Sequence, residues 1–265
     1  MSGQQHDSPS VCDFGDLRSL QFDGLTVQSM MSTTYPHLLA LDYTRAMMGF
    51  LLFRPQPRHI LMIGLGGGSL AKYCLHAMPE VRFTAVEINP EVIALRERFG
   101  IPPDGEGFRV ICADGADHVR DCGDGDGAPD VLLIDGFNAA GLPERLGSAA
   151  FYADCRQALA PGGVLAINHW AGDSRYPVYA SRLREAFDGR VLSIPAEEGD
   201  NRISFAAADA AFPPSRGQIR ARSAALDAMH SFDLGNIAQR MLARLERMPA
   251  RRPGSADWPA DASGR

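Results

Sequence analysis

The sequence predicts an α/β fold in which a doubly wound parallel sheet follows a small N-terminal β domain. From residue 59 onward, short apolar runs alternate with helix-like segments. The runs lack a clean polar alternation, so both faces of each strand are buried, and strands that alternate with helices pair in parallel. A glycine loop joins the first run to the first helix.

The elements follow in order. Residues 1–15 are polar and are expected to be flexible. Residues 17–30, LRSLQFDGLTVQSM, read as two strands joined at Asp23-Gly24, a hairpin signal. Residues 38–53, LLALDYTRAMMGFLLF, have helical character and stop before Pro55 and Pro57. Together these form a small unit over 16–54. The main domain spans 55–210 and reads HILMIG, SLAKYCLHAM, RFTAVEI, PEVIALRERFG, FRVICAD, DVLLID, FYADCRQAL and GVLAINH. Pro90 opens its second helix and Gly100 closes it, the usual asymmetry of helix ends. Pro161-Gly162-Gly163 breaks the chain before the fifth strand.

Residues 211–248 predict two amphipathic helices. Leu226, Met229 and Phe232 share one stripe, Ile237, Met241, Leu245 and Met248 another, and Asp233 stands where it can cap the second helix. These stripes suit packing or an oligomer surface. Residues 249–265, rich in Pro, Ala, Arg and Gly, predict a disordered tail.

Composition narrows the function classes. With 265 residues and 45% hydrophobic content the chain suits one ordinary domain with appendages. The net charge of −6 gives no electrostatic footprint for nucleic acid. The N-terminus lacks a signal-peptide pattern, and no apolar run approaches a membrane span, so a cytoplasmic protein is expected. Five cysteines, widely spaced and without a CxxC pair, read as reduced thiols, and the scattered histidines offer no metal site. The loop DCGDGDGAP at 121–129 fails the EF-hand spacing and reads as solvated.

The chemistry lies at the strand ends, where open parallel sheets bind ligands. The loop after the first strand satisfies GxGxG through Gly64, Gly66 and Gly68, with Gly67 between. A dinucleotide fingerprint would need glycine at position 69, which is Ser69. Position 69 disfavours a nicotinamide dehydrogenase, and the GxGxG form resembles the loop of Rossmann-like, methyltransferase-type domains that take an S-adenosylmethionine-type donor. Glu87 ends the second strand, where a carboxylate can accept both ribose hydroxyl protons. Asp114 and Gly115 follow the third strand, Asp135 and Asn138 the fourth. Asp114 can accept from an adenine amine or cap a helix; Asp135 is placed to face the sulfonium and the amine that is alkylated. His169-Trp170, after the fifth strand, can supply a base or an aromatic wall, or simply pack.

At these residues the chain resembles the spermidine synthase (polyamine aminopropyltransferase) family. The resemblance runs from about residue 20 to 207 through the LxFDGxxxQ hairpin to Gln28, the helix of Tyr43, the glycine loop, VEIN at 86–89, Asp114-Gly115, LLID at 132–135 and APGGVL. It implies a small N-terminal β domain on a Rossmann-like domain, decarboxylated S-adenosylmethionine as donor, a small-molecule amine as acceptor, no metal, and a homodimer. By position, Gln28 would contact the donor, Glu87 its ribose, Asp114 with Gly115 its adenine, and Tyr43 would help hold the acceptor. Two positions depart from the family pattern. An Asp that reads the donor's propylamine is replaced by Gly67, and the second Asp of D-S-S-D-P, taken as proton acceptor, falls on Asn138. Asn is no base, and loss of an acid at 67 suits a donor that keeps its carboxylate. The sequence therefore also admits an S-adenosylmethionine-dependent methyltransferase or alkyltransferase, or a non-catalytic nucleoside-binding module. Glu197, Glu198 and Asp200 replace a family loop and can restore negative charge or form a solvated hairpin tip.

Overall fold

The computed structural model describes residues 6–22, 27–122 and 127–247. The N-terminal unit is a three-stranded antiparallel sheet of β1 (Ser10–Phe14), β2 (Leu17–Gln21) and β3 (Val27–Ser32). The expected hairpin is thus extended by β1, which lies within the segment expected to be flexible. Its Val11 stands opposite Leu20, whose side chain enters the core, so pairing orders the polar N-terminus. The Asp23-Gly24 turn lies outside the described residues.

A helix α1 (Asp42–Met47) follows and tightens into a 3-10 turn over Met48–Leu52. Residues 38–41, expected to be helical, are not: Leu41 is extended and acts as the N-cap, which places Asp42 in the first turn, where negative charge favours a helix start.

The main sheet contains β4 (His59–Ile63), β5 (Arg82–Glu87), β6 (Phe108–Cys112), β7 (Val131–Ile134), β8 (Val164–Trp170), β9 (Val191–Pro195) and β10 (Asn201–Ala206) in the order β6-β5-β4-β7-β8-β10-β9. The first five are parallel; β10 runs antiparallel to both its neighbours. Each residue of β4 is buried because alternate side chains enter two different cores. Ile60 and Met62 face a core shared with the N-terminal sheet, α1, α2 (Ser69–Ala77), α7 (Arg216–Leu226) and α8 (Leu234–Arg247). Leu61 and Ile63 face one shared with α4 (Gly115–Asp121), α5 (Ala149–Ala158) and α6 (Tyr176–Ala186). The continuous apolar runs of the sequence are this two-sided burial.

The helix α3 (Pro90–Ala94) starts as expected, with Pro90 in its first turn and Asn89 Oδ1 accepting from the Glu91 N–H. It ends earlier than Phe99, in a run of turns closed by the Ile101 N–H on the Arg96 carbonyl at 3.0 Å. In the C-terminal pair Asp233 does cap α8, accepting from Asn236 N–H at 2.7 Å. Ile237 and Met241 are buried as the stripe predicts, whereas Met229 is exposed, because the chain leaves α7 through a 3-10 turn that rotates it outward. Met248 and residues 249–265 lie outside the described residues, as do 123–126 of the Gly/Asp loop. Among the described residues no helix is long and apolar enough to cross a membrane.

Candidate active site

In the strand order the chain departs from β4 to one side through β5 and β6, and to the other through β7 and β8. Such a switch point opens a crevice beyond the carboxyl ends of the strands. A cavity of about 760 Å³ lies there, within the range of small-molecule sites.

The first wall is the glycine loop. Gly64 takes φ +92°, and any Cβ there would run into the Asp135 carbonyl, so only glycine lets the ends of β4 and β7 approach. Gly64 and Gly66 line the cavity. Gly67 and Gly68 sit behind it. A Cβ on Gly67 would stand 2.7 Å from Ser29 Oγ and 2.8 Å from Phe99 Cδ1. The place where the resemblance puts a carboxylate is therefore filled by packing.

Glu87 is buried and accepts from two backbone N–H groups, Leu65 N–H on Oε2 and Asn89 N–H on Oε1, both at 2.9 Å. Each oxygen retains a lone pair for a ribose hydroxyl. Asp114 does two things at once: Oδ1 caps α4, accepting from Ala116 N–H (2.8 Å) and Asp117 N–H (3.1 Å), while Oδ2 pairs with Arg145 at 2.6 Å. Both the cap and the position on the cavity wall expected of it are present. Gly115 lines the same wall.

Gln28 enters from β3, and its carbonyl lies 3.3 Å from the Tyr43 hydroxyl. Tyr43 comes from α1 and also meets Asp135, at the end of β7. Burial, with the Asp135 charge beside it, holds the Tyr43 hydroxyl well above its usual value, so it remains a proton donor. Burial also pushes the Asp135 carboxyl up to about 6, against hydrogen bonds from Asn168 and Tyr43 that favour its charged form. A carboxylate titrating there can accept a proton near neutral pH. Asn138 stands on the cavity rim and closes its own turn. Its Oδ1 accepts from Ala140 N–H at 2.9 Å, and its backbone exchanges two 3.0 Å bonds with Gly141.

Several lining residues were not singled out in the sequence. Asn168, at the end of β8, donates to Asp135 Oδ1 at 2.9 Å; the strand-end rule applied to this fifth strand would have named it. Asn201 on β10 stands behind it. His6 and Asp7 cross the mouth, where the Asp7 carbonyl accepts from Asn89 Nδ2 (2.8 Å) and its carboxylate from Ala139 N–H (2.9 Å). Nothing in the polar N-terminus signals this. Of the pair after the fifth strand, Trp170 lines the cavity and is about half exposed, while His169 faces the other side of the sheet. Burial pushes His169 down to about 4, with Nε2 3.2 Å from the Tyr152 hydroxyl. It is a packed core histidine. Glu197 and Glu198 form the β9–β10 hairpin tip, their N–H groups donating to Asp42. Among the described residues, no three His, Cys, Asp or Glu side chains gather as a metal site.

Comparison with known proteins agrees with this geometry. No protein-family profile matches the chain. It is 38% identical over 232 residues to the polyamine aminopropyltransferase of Chromobacterium violaceum, covering 87% of this chain and 88% of that one. The chain belongs to the polyamine aminopropyltransferase family. The polyamine aminopropyltransferase of Neisseria meningitidis is 40% identical over 238 residues, covering 89% of this chain and 88% of that one. A probable spermidine synthase from Corynebacterium glutamicum superposes with a TM-score of 0.69 at 19% identity, over 96% of this chain and 95% of that one, and shares the fold. In this chain Tyr43 and Asp135 stand together, and Gly67 is walled off by Phe99.

Proposed function

We propose that the protein transfers an aminopropyl group from decarboxylated S-adenosylmethionine to a small amine. The observation that carries the reading is the carboxylate of Asp135, raised to about 6 and set beside Tyr43 in the nucleoside cavity. An alkylamine is protonated at neutral pH and must be neutral to attack. Asp135 supplies the proton acceptor that position 138, an amide, does not. In the step, the acceptor nitrogen forms a bond to the propyl carbon and the carbon–sulfur bond breaks. The electron pair leaves with sulfur as methylthioadenosine, and the amine proton goes to Asp135. Glu87 would bind the ribose, Asp114 and Gly115 the adenine side, and Gln28 with Tyr43 the reacting end.

One observation favours a second reading. With Gly67 packed against Ser29 and Phe99, no carboxylate opposes the end of a donor that keeps its own, so intact S-adenosylmethionine would meet no repulsion there. Calorimetric titration with both donors and with methylthioadenosine separates the two. Aminopropyl transfer predicts tighter binding of the decarboxylated donor; tighter binding of S-adenosylmethionine overturns it in favour of methyl or alkyl transfer.

A further inference from the structure

We propose that Asn168 and Asn201 are positioning residues for this transfer, an amide relay that fixes the Asp135 carboxylate and ties it to the β9–β10 hairpin tip. The inference rests on Asp135 being the proton acceptor.

Each link has a direction. Asn201 Nδ2 donates to Asn168 Oδ1 at 2.9 Å, and Asn168 Nδ2 donates to Asp135 Oδ1 at 2.9 Å. Turning the Asn168 amide over would set its oxygen against the carboxylate oxygen and its NH2 against that of Asn201, losing both bonds. Asn201 thereby decides which end of Asn168 meets Asp135. One carboxylate oxygen is held by the relay, and the carboxylate is presented to Tyr43 and the cavity in a fixed orientation.

The relay closes on itself through the hairpin. Asn201 opens β10, and its carbonyl accepts from Ala196 N–H at 2.8 Å, which folds the tip 196–200. The tip N–H groups of Glu197 and Glu198 donate to the buried Asp42 carboxylate. Asp42 immediately precedes Tyr43, which returns to Asp135. A turn with no side chain among the cavity walls thus holds both partners of the reacting carboxylate in register.

The groups around Asp135 are few. From α1 come the Tyr43 phenol and Asp42, the latter turned toward the tip and, at 3.7 Å, Arg45. From β8 and β10 come the neutral amides. Across the cavity stand Glu87, held by Leu65 and Asn89, and Arg145, paired with Asp114 and Asp117, with Glu144 beside it. The N-terminal segment adds His6 and Asp7 at the mouth. Asn168 is the neutral donor whose removal acts on Asp135 directly.

The test is a carboxyl-carbon NMR titration of Asp135 in the full-length protein, with pH profiles of kcat/KM, in Asn168→Ala and Asn201→Ala. Loss of a donor to the charged carboxylate raises its titration by about one pH unit in Asn168→Ala, and the acid limb of the profile moves up with it. Asn201→Ala, which removes no contact to Asp135, moves both in the same direction by less. Asn168→Gln, which keeps an amide donor, recovers part of the shift. An Asp135 titration that stays at the wild-type value in both alanine variants overturns the relay. Failure of the functional reading looks different: wild-type protein then yields no aminopropyl product, although the NMR titration can still be read.

Discussion

Glu87 is held from both sides by backbone N–H groups, one of them in the glycine loop, and each oxygen keeps a lone pair for the ribose proposed to bind there. Glu87→Ala leaves two backbone donors and a bound diol without partners. Methylthioadenosine affinity measured by calorimetry should fall about 10- to 100-fold, and unchanged affinity would remove Glu87 from the site. Asp135 shows the opposite balance, a charge kept where it costs stability. Its folded value of about 6 lies above the usual 3.8, so the folded state holds the proton more tightly and stability declines as pH rises from about 4 through 6. Asp135→Asn should lower transfer by about 100-fold or more. It should also raise thermal stability by about 3 kcal/mol at about pH 8 and by little at about pH 4. Melting curves at both pH values check this; equal gains at both would place the charge outside the buried cavity. Asp135 and Tyr43 were legible in the sequence, and the family pattern sets its proton acceptor at position 138, which is Asn here; the burial that raises Asp135 to about 6 was not legible, because position in a motif says nothing of burial. Only packing distinguishes a carboxylate at about 6 from an amide that closes its own turn.

At the scale of elements, the glycine loop was legible to the residue, since strand, glycine and helix start are local signals. What Gly67 faces was not, because Ser29 and Phe99 reach it from β3 and from the turns after α3. Gly67→Asp should cost about 1–3 kcal/mol through overpacking, read by urea unfolding. A variant of wild-type stability that binds the decarboxylated donor more tightly would show the position open to the ligand. The hairpin tip carries Glu197, Glu198 and Asp200 exposed to solvent, while its N–H groups grip Asp42 on α1, a contact no local pattern encodes. Asp42→Ala should speed amide exchange at Glu197 and Glu198 and cost about 1–2 kcal/mol. Unchanged exchange would mean that the tip is ordered by β9 and β10 alone.

For the molecule as a whole, apolar runs alternating with helices marked a parallel sheet buried on both faces, while the order of its strands came only from the structure. The strand β1 and the crossing of the cavity mouth by Asp7 were invisible, because polar segments are ordered by partners rather than by their own pattern. The outer face of the N-terminal sheet exposes Phe14 (86%) opposite Leu17 (39%). The group transferred defines the activity. Mass spectrometry of a diamine incubated with the protein and, in parallel, each donor reads it directly. Aminopropyl transfer yields a product heavier by one aminopropyl unit, with methylthioadenosine, from the decarboxylated donor, and less of it by about 100-fold or more from Asp135→Asn; a product heavier by one methyl group, formed from S-adenosylmethionine alone, would overturn it.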